Sequence, residues 1–138
     1  MSVAAQFTHT PPLPRAIDAK LTSFLQRIEL RAGRVTLGHA AWHLVDIDEG
    51  VVQIVDLTVD PTLHRRGHAG ALLNEAIAQA RALCMLKRFP LRRCWVALEQ
   101  KSHVRARAFL TKHGFHHTSS VPDLLRDQDL LVYVRSFD

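Results

Sequence analysis

A short basic turn between an apolar stretch and a helical pattern is the part of this sequence best suited to chemistry. Residues 51–59 are largely apolar, and residues 64–69 read His-Arg-Arg-Gly-His-Ala before an alanine- and leucine-rich run. The first amides of a helix lack intrahelical partners and carry partial positive charge. A glycine lets the backbone approach a ligand closely, and the two arginines add cationic charge. The order of strand, turn and helix therefore predicts a site for a pyrophosphate or a similar anion.

This turn differs from two familiar phosphate-binding loops. It lacks the Gly-Lys-Ser/Thr ending of a Walker loop and the three glycines of a dinucleotide-binding fingerprint. It resembles the acetyl-CoA turn of the Gcn5-related N-acetyltransferases (GNAT), which is Gln/Arg-x-x-Gly-x-Gly/Ala after a strand that often ends in Val-x-Pro. Gly67, Ala69 and the Val59–Pro61 segment match, and His64 stands where Gln or Arg is usual. A basic surface turn with a capping glycine is the alternative interpretation.

A second segment resembles the other characteristic block of the same family. There a strand is followed by Asn-x-x-Ala-x-x-x-Tyr and a terminal Gly-Phe. Ala106, Gly114 and Phe115 fall on this register, whereas His103 takes the Asn position and Leu110 the Tyr position. The two blocks occur in the correct order and about the usual distance apart, so the resemblance extends from about residue 15 onward.

Length and composition limit the class of protein. With 138 residues the chain is predicted to form a single domain over 1–138, with a flexible arm at 1–14. Hydrophobic residues make up 47% of the chain, yet no apolar run approaches the roughly 20 residues of a membrane helix. The N-terminus does not combine a basic region with an apolar core, so we expect no secretory signal and a cytoplasmic location.

Neither the net charge nor the cysteine and histidine content indicates a nucleic-acid-binding, disulfide-bonded or metal-binding protein. The net charge of +5 is compatible with binding to nucleic acid, but the chain shows no nucleic-acid module, so an anionic cofactor explains the basic clusters better. Cys84 and Cys94 are expected to be buried small hydrophobes rather than a disulfide. The histidine groups lack cysteine partners and an established ligand spacing, so no metal site is predicted.

Hydrophobic periodicity and turn residues predict alternating strands and helices. The predicted elements are an edge strand near Ala5–Thr8, a helix over 15–28, a hairpin of Arg34–Val45 with Val51–Val59, a helix over Gly70–Met85, a strand over Cys94–Leu98, a helix over Val104–His113 closed by Gly114, and strands over Phe115–Val121 and Asp129–Phe137 around a Pro122-Asp123 turn. This alternation predicts an α/β or α+β sheet with helices on both faces. The family resemblance implies a mixed, mainly antiparallel sheet with a V-shaped splay between its two central strands.

The resemblance also implies a function, namely transfer of acetyl from acetyl-CoA to a primary amine by direct attack. Acetyl-CoA would lie in the splay, and a backbone N–H near the end of the first splayed strand would stabilise the oxyanion. The implied cofactor-binding residues are Leu57, Thr58 and Val59 along the pantetheine arm, then His64, Arg65, Arg66, Gly67, His68, Ala69 and Gly70 at the pyrophosphate, and His103. The acceptor amine stays unknown, and a homodimer is left open.

Two carboxylates are the predicted general bases, Glu99 first and Asp56 second. Family members often place a glutamate near the splay, and in N-terminal amine acetyltransferases it precedes the Asn by five positions. Here that position is Leu98, with Glu99 beside it, and a shift of one residue along a strand reverses the face. Asp56 lies on the first splayed strand. The alternatives are an exposed loop carboxylate for Glu99 and a polar residue at a strand's rim for Asp56.

The leucine at position 110 leaves the reaction without the family's usual tyrosine acid. Water, His103 or Tyr133 could replace it, and Tyr133 is the only tyrosine in the chain. A catalytically weak acyl-CoA-binding or regulatory module on the same fold is therefore the alternative function. An RNA-associated protein that uses its basic surface is a third interpretation.

Overall fold

The computed structural model describes residues 5–9, 25–46, 48–63, 67–101 and 104–137. The described strands are β1 (Ala5–His9), β2 (Leu25–Ala32), β3 (Val35–Asp46), β4 (Val51–Val59), β5 (Arg93–Glu99), β6 (His116–Leu125) and β7 (Gln128–Ser136). The described helices are α1 (His68–Leu86) and α2 (Val104–Lys112), and a short 3-10 turn over Pro61–Leu63 follows β4. The predicted edge strand, central hairpin and two later helices are thus confirmed.

The strands form one seven-stranded sheet in the order β1-β2-β3-β4-β5-β7-β6. Every neighbouring pair is antiparallel except β4 and β5, which are parallel and are connected through α1. The parallel pair therefore occupies the middle of a mainly antiparallel sheet. This is the mixed architecture predicted from the sequence, and the fold class is confirmed.

A β-bulge in the β3–β4 hairpin changes which side chains share a face. Trp42 is opposite Ile54, but the next partner pair is Ala41 with Asp56, so Val55 is the extra residue. One additional residue in a strand reverses the face of every residue beyond it. Ile54 belongs to the buried core, whereas Asp56 points to the same side as His39, on the opposite face of the sheet.

Helix α1 covers the core face because its apolar residues recur at helical spacing. Its buried residues are Leu72, Leu73, Ala76, Ile77, Ala80 and Cys84. They pack with buried residues of the central strands, among them Trp42, Val52 and Cys94. Leu110 of α2 and Phe115 join the same core. Both cysteines are buried and free, as predicted, and burial raises the pKa of the Cys94 thiol to about 12.

The helix predicted over 15–28 is wrong at its C-terminal end. Residues 25–28 begin strand β2, while residues 15–24 lie outside the described part of the chain, as do residues 1–4 and 10–14 of the predicted arm. Ile28 and Leu30 are buried and Glu29 between them is not, which is the two-residue alternation of a strand. The helical spacing of the apolar residues before Ile28 concealed this alternation.

The predicted turn at Pro122-Asp123 is also wrong. Strand β6 continues to Leu125, and the chain reverses at Arg126 and Asp127 instead. The partner register shifts between Val121 and Leu125, so Pro122 falls in an irregular part of an edge strand. Proline cannot donate a ladder hydrogen bond, and it is tolerated at this irregular edge position because no such bond is required there.

The turn between β3 and β4 fixes the start of β5. The Gly50 carbonyl oxygen accepts hydrogen bonds from the Arg92 and Arg93 amides at 2.9 and 3.1 Å. A β-carbon at Gly50 would lie 2.1 Å from the Pro90 carbonyl oxygen, so only glycine fits this approach. Neither helix in the described part of the chain is long and apolar enough to cross a membrane.

Candidate active site

The central parallel strands separate along their length. Their paired residues run from Val51 with Arg93 to Ile54 with Val96 and then stop. Beyond that point β4 stays paired with β3 as far as Val59, while β5 stays paired with β7 as far as Glu99. The two strands therefore diverge, which is the V-shaped splay implied by the family resemblance.

A cavity of about 1130 Å³ occupies the splay and extends between the two helices. Its wall combines the β4 segment Ile54–Leu57 with Val59, the β5 segment Val96–Leu98, the first turns of α1 and the inner side of α2. Among the described residues that line it, Asp56 is the only acidic one, whereas Arg105 and Lys112 add positive charge and His68 and His113 add ring nitrogens. Such a wall favours an anionic ligand over most of its length.

The N-terminus of α1 opens into this cavity. Gly67 is the N-cap, has a left-handed backbone with φ of 78°, and offers no side-chain cap. The first intrahelical hydrogen bond runs from the Ala71 amide to the Gly67 carbonyl at 3.0 Å, so the three preceding amides have no intrahelical acceptor. Gly67, His68, Ala69 and Gly70 all line the cavity, while residues 64–66 lie outside the described part of the chain.

Close contact with α2 narrows the cavity beside this turn. A β-carbon on Gly70 would lie 3.1 Å from Cε1 and 3.3 Å from Nε2 of His113. The His113 ring packs on Phe109 with centroids 4.5 Å apart. Burial, together with the positive charges of Lys112 and Arg135, lowers the pKa of His113. The ring therefore contributes a neutral polar surface near pH 7.

The β4 residues predicted for the pantetheine arm alternate between the two faces. Leu57 and Val59 line the cavity and pack against the core. Thr58 points to the other face, where its hydroxyl donates to Asp56 Oδ1 at 2.8 Å. Within the described chain, β4 and β5 form no strand pairs between Val55 and Thr58, so an extended ligand could pair with β4 there.

The Asp56 carboxylate is held by two partners. Its Oδ2 lies 2.6 Å from His39 Nε2, and its Oδ1 accepts from Thr58. Partial burial opposes ionisation, but the hydrogen bonds from Thr58 and His39 and the nearby positive charge of Arg27 together lower the pKa of Asp56. The carboxylate therefore stays ionised and orients the His39 ring.

The other predicted base, Glu99, has different surroundings. It is the last residue of β5 and pairs with Leu130, and its Oε2 atom lies 3.4 Å from the side-chain Nε2 of Gln128. It is exposed and is not among the residues that line the cavity, although its neighbour Leu98 is. Because β5 continues through position 99 without a bulge, the side chains of Leu98 and Glu99 point to opposite faces.

The groups considered as replacement acids are also separated. Leu110 is buried and lines the cavity, at the position where the family has tyrosine. Tyr133 is buried in the core, and its ring stacks on His117 with centroids 5.4 Å apart. It is not among the residues that line the cavity. His103 lies outside the described residues.

Sequence reasoning missed His39 and the α2 residues that complete the cavity. In the sequence, His39 stands out only by its spacing of four residues from His43, and His43 in fact bonds to Gln53 at 2.8 Å. His39 and Asp56 are 17 residues apart and meet only because of the Val55 bulge. Within the described ranges, no group of three His, Cys, Asp or Glu residues could hold a metal ion.

Comparison with known families gives a match over most of the chain. The sequence profile of the "Acetyltransferase (GNAT) family" matches residues 7–115. That range contains the glycine turn, both splayed strands and all of α2. A search of curated proteins found no match.

Solved structures share the fold at low sequence identity. An acetyltransferase of the GNAT family from Elizabethkingia anophelis with acetyl-CoA bound has a TM-score of 0.75 and 13% identity, covering 96% of this chain and 98% of its own. A Bacillus subtilis acetyltransferase in complex with CoA has a TM-score of 0.74 and 13% identity, covering 98% and 100%. An IAA acetyltransferase from Bacillus cereus has a TM-score of 0.77 and 14% identity, covering 97% and 100%.

Proposed function

The chain belongs to the acetyltransferase (GNAT) family, and from that premise we propose that it transfers an acetyl group from acetyl-CoA to a primary amine by direct attack. The observation that carries this proposal is the cavity in the splay, which joins an unpaired strand edge to the N-terminus of α1. Similar folds have been solved with acetyl-CoA or CoA bound, which supports acetyl-CoA as the acyl donor.

The pyrophosphate of acetyl-CoA would bind at the first turn of α1. Amides that lack intrahelical acceptors donate hydrogen bonds to phosphate oxygens, and the helix dipole favours the negative charge. Gly67 adds no side chain that would obstruct this approach. Arg65 and Arg66 would add positive charge, and His64 would contribute its amide.

The pantetheine arm would lie along β4 like an additional strand. Its amides can pair with the part of β4 that has separated from β5, around Leu57 and Thr58 and toward Val59, while the apolar side chains of Leu57 and Leu98 enclose it. This alignment brings the thioester to the narrow part of the splay, beside the Val55 bulge. A backbone N–H there would stabilise the oxyanion of the tetrahedral intermediate, which is commonly a large contribution to catalysis.

The acceptor amine would reach the thioester from the face that carries Asp56. Of the two carboxylates predicted as bases, Asp56 lines the cavity and Glu99 does not, which favours Asp56 over Glu99 for a part in the proton step, either as the base or as its positioning partner. Glu99 stays a predicted base until it is tested by substitution.

A catalytically weak acyl-CoA-binding module is the second function, and the buried leucine at position 110 favours it. Leucine can neither protonate a departing thiolate nor donate a hydrogen bond to its sulfur. CoA thiolate is, however, a modest leaving group, so we expect slow transfer rather than none.

The deciding experiment is a thiol-release screen in which acetyl-CoA is combined with amines, peptides and polyamines. Acceptor-dependent release of free CoA, with acetylated amine identified by mass spectrometry, is expected. Acetyl-CoA binding without release for every acceptor would favour the binding module. Absence of acetyl-CoA binding by calorimetry would contradict both functions.

A further inference from the structure

His39, Asp56 and Thr58 form a connected group on the face of the sheet opposite α1. The His39 Nε2 atom lies 2.6 Å from Asp56 Oδ2, and Thr58 Oγ1 donates to Asp56 Oδ1 at 2.8 Å. Asp56 belongs to the cavity wall. His39 is not part of that wall; it lies diagonally across from Asp56 on the neighbouring strand, where its direct partner is Thr58, and it reaches the wall through its contact with the carboxylate. The His39 side chain is 21% exposed, so the ring is held in place and yet can be reached.

The short contact determines which ring nitrogen carries a proton. An ionised carboxylate can only accept hydrogen bonds, so the proton of this contact must belong to His39 Nε2. In neutral histidine the other nitrogen, Nδ1, then carries the lone pair and can accept a proton. Asp56 thus fixes the tautomer and would stabilise the charged ring after proton transfer.

The charged groups around the ring come from its neighbouring strands. Glu29 of β2 is the cross-strand partner of His39, and it lies 3.8 Å from Arg27 and 3.6 Å from Arg31. Asp56 is the acidic group on β4, and His43 is the other histidine on the same face of β3. The two arginines offset Glu29, which leaves Asp56 as the closest charge to the ring.

We propose that His39, oriented by Asp56, is the general base that removes the proton from the acceptor amine, directly or through one water. This inference rests on the proposed acetyltransfer and names its proton acceptor. Asp56 is then a positioning residue, and Thr58 fixes the orientation of the Asp56 carboxylate.

The reaction balances with this assignment. The ammonium form of the acceptor transfers one proton to His39 Nδ1 and becomes a neutral amine. Its nitrogen lone pair attacks the thioester carbonyl carbon, a C–N bond forms, and the C–S bond breaks with its electron pair leaving on sulfur. The second nitrogen proton passes through solvent to the thiolate, and His39 returns its proton to solvent.

Asp56 alone is poorly suited to the same task. Both of its oxygens already accept hydrogen bonds, and its low pKa makes it a weak proton acceptor. The His39 ring, in contrast, keeps a lone pair on Nδ1 while Nε2 donates to Asp56, and histidine is the side chain most often used as a general base.

The first test replaces His39 by glutamine, which can still donate to Asp56 but cannot act as a base. We expect kcat/KM to fall by ~10²–10⁴-fold, with acetyl-CoA affinity retained. The pH profile should change as well, because in the variant the rate should rise with pH until the acceptor amine itself deprotonates. His43→Gln, on the same strand and face, is the matched control and should keep the wild-type profile.

The second test inverts the tautomer. In Asp56→Asn, the Thr58 hydroxyl should hold the amide oxygen on its own side, so the amide NH₂ faces His39 Nε2. That arrangement forces the proton onto Nδ1 and should lower kcat/KM as severely as His39→Gln. Adding Thr58→Val removes the hydroxyl that holds the amide oxygen. The amide can then turn its oxygen toward His39 Nε2, so the double variant should recover part of the lost kcat/KM.

The outcomes separate this inference from the proposed function. Wild-type transfer that His39→Gln retains would overturn the His39 assignment and leave acetyltransfer intact. A double variant no faster than Asp56→Asn, combined with an active His39→Gln, would make Asp56 the base. Absence of wild-type transfer to every acceptor would overturn both.

Nitrogen-15 NMR of the imidazole gives a readout that needs no turnover. At a pH where His39 is neutral, wild-type protein should show Nε2 protonated and Nδ1 bare, and Asp56→Asn should show the reverse. A wild-type ring protonated on Nδ1 would contradict the inference even if transfer is observed.

Discussion

The ring of His113 lies against Gly70, and a β-carbon added to Gly70 would lie 3.1 Å from His113 Cε1. This contact joins the first turn of α1 to the end of α2 at the cavity wall. Contacts tighter than ordinary van der Waals distances leave little room for an added methyl group. The width of the cavity beside the predicted pyrophosphate site therefore depends on a glycine that has no unusual backbone conformation.

We predict that Gly70→Ala lowers acetyl-CoA affinity because the methyl group displaces the His113 ring within the cavity. Removing the ring should relieve the conflict, so Gly70→Ala in a His113→Ala background should not lower the affinity further. In that background alanine should raise the free energy of unfolding by up to about 1 kcal/mol, through its higher helix propensity. Calorimetry and urea unfolding measure the cycle, and purely additive effects would contradict it.

We predict that Gly67→Glu abolishes acetyl-CoA binding, because a carboxylate would occupy and repel the pyrophosphate site. Gly33→Glu is the matched control: both glycines have positive φ, at 62° and 78°, and neither has an atom within 4 Å of an added β-carbon. The two variants should suffer similar backbone strain, but only Gly67→Glu should lose binding in calorimetry. Equal affinities would exclude the glycine turn as the phosphate site.

Arg65 and Arg66 lie outside the described residues, and their role stays a prediction that salt dependence can test. Charges that contact phosphates near the surface are screened over ~8 Å at physiological ionic strength. Acetyl-CoA affinity should therefore fall as salt rises, and fall less steeply in an Arg65→Ala, Arg66→Ala double variant. The same slope in both proteins would rule out a direct electrostatic role.

Replacing Leu110 by tyrosine should raise turnover without changing acetyl-CoA affinity, because the hydroxyl would supply a donor at the departing sulfur. Leu110 is 4% exposed, so the larger side chain should cost about 1–3 kcal/mol of stability. Leu110→Phe is the control, since it adds the ring without the hydroxyl. If both variants change turnover equally, the missing donor is not what limits the reaction.

The lowered pKa of Asp56 predicts how stability varies with pH. Against the opposing effect of burial, hydrogen bonds and nearby positive charge hold this pKa below its ordinary value of 3.8. A depressed carboxyl pKa contributes stability above the unfolded value, and this is lost as pH falls through the folded value. The difference in unfolding free energy between wild type and Asp56→Asn should therefore shrink below about pH 3.8. Urea unfolding across pH measures it, and a constant difference would contradict the prediction.

Local patterns in the sequence predicted the elements that build the cavity. Strand β4 was predicted over Val51–Val59 and has those bounds, because turns limit an apolar segment at both ends. Gly67 and the alanine-rich run predicted the start of α1, and Gly114 predicted the end of α2. Such signals are contained within a few residues, so a single sequence reveals them.

The proton-transfer group could not be predicted because it depends on register between distant residues. Counting onward from the Trp42–Ile54 pair without a bulge puts Ala40 opposite Asp56 and turns the carboxylate toward the core. The extra residue at Val55 moves the partner to Ala41 and brings Asp56 beside His39. The sequence has no turn-forming residue at Val55 that would mark this bulge. Glu99 shows the converse, since β5 lacks the irregularity that would have directed its side chain into the cavity.

Gly50 helps to decide where the two central strands separate. Its carbonyl oxygen holds the Arg92 and Arg93 amides, and β4 and β5 then stay paired as far as Ile54. Since a strand advances about 3.3 Å per residue, the predicted pantetheine residues begin roughly 10 Å beyond the last pair. A change at Gly50 that altered this register would move the point of separation along β4 and so change the length of strand open to the acyl donor. The extent of that binding surface is set at the closed end of the splay, by a residue that no ligand needs to touch.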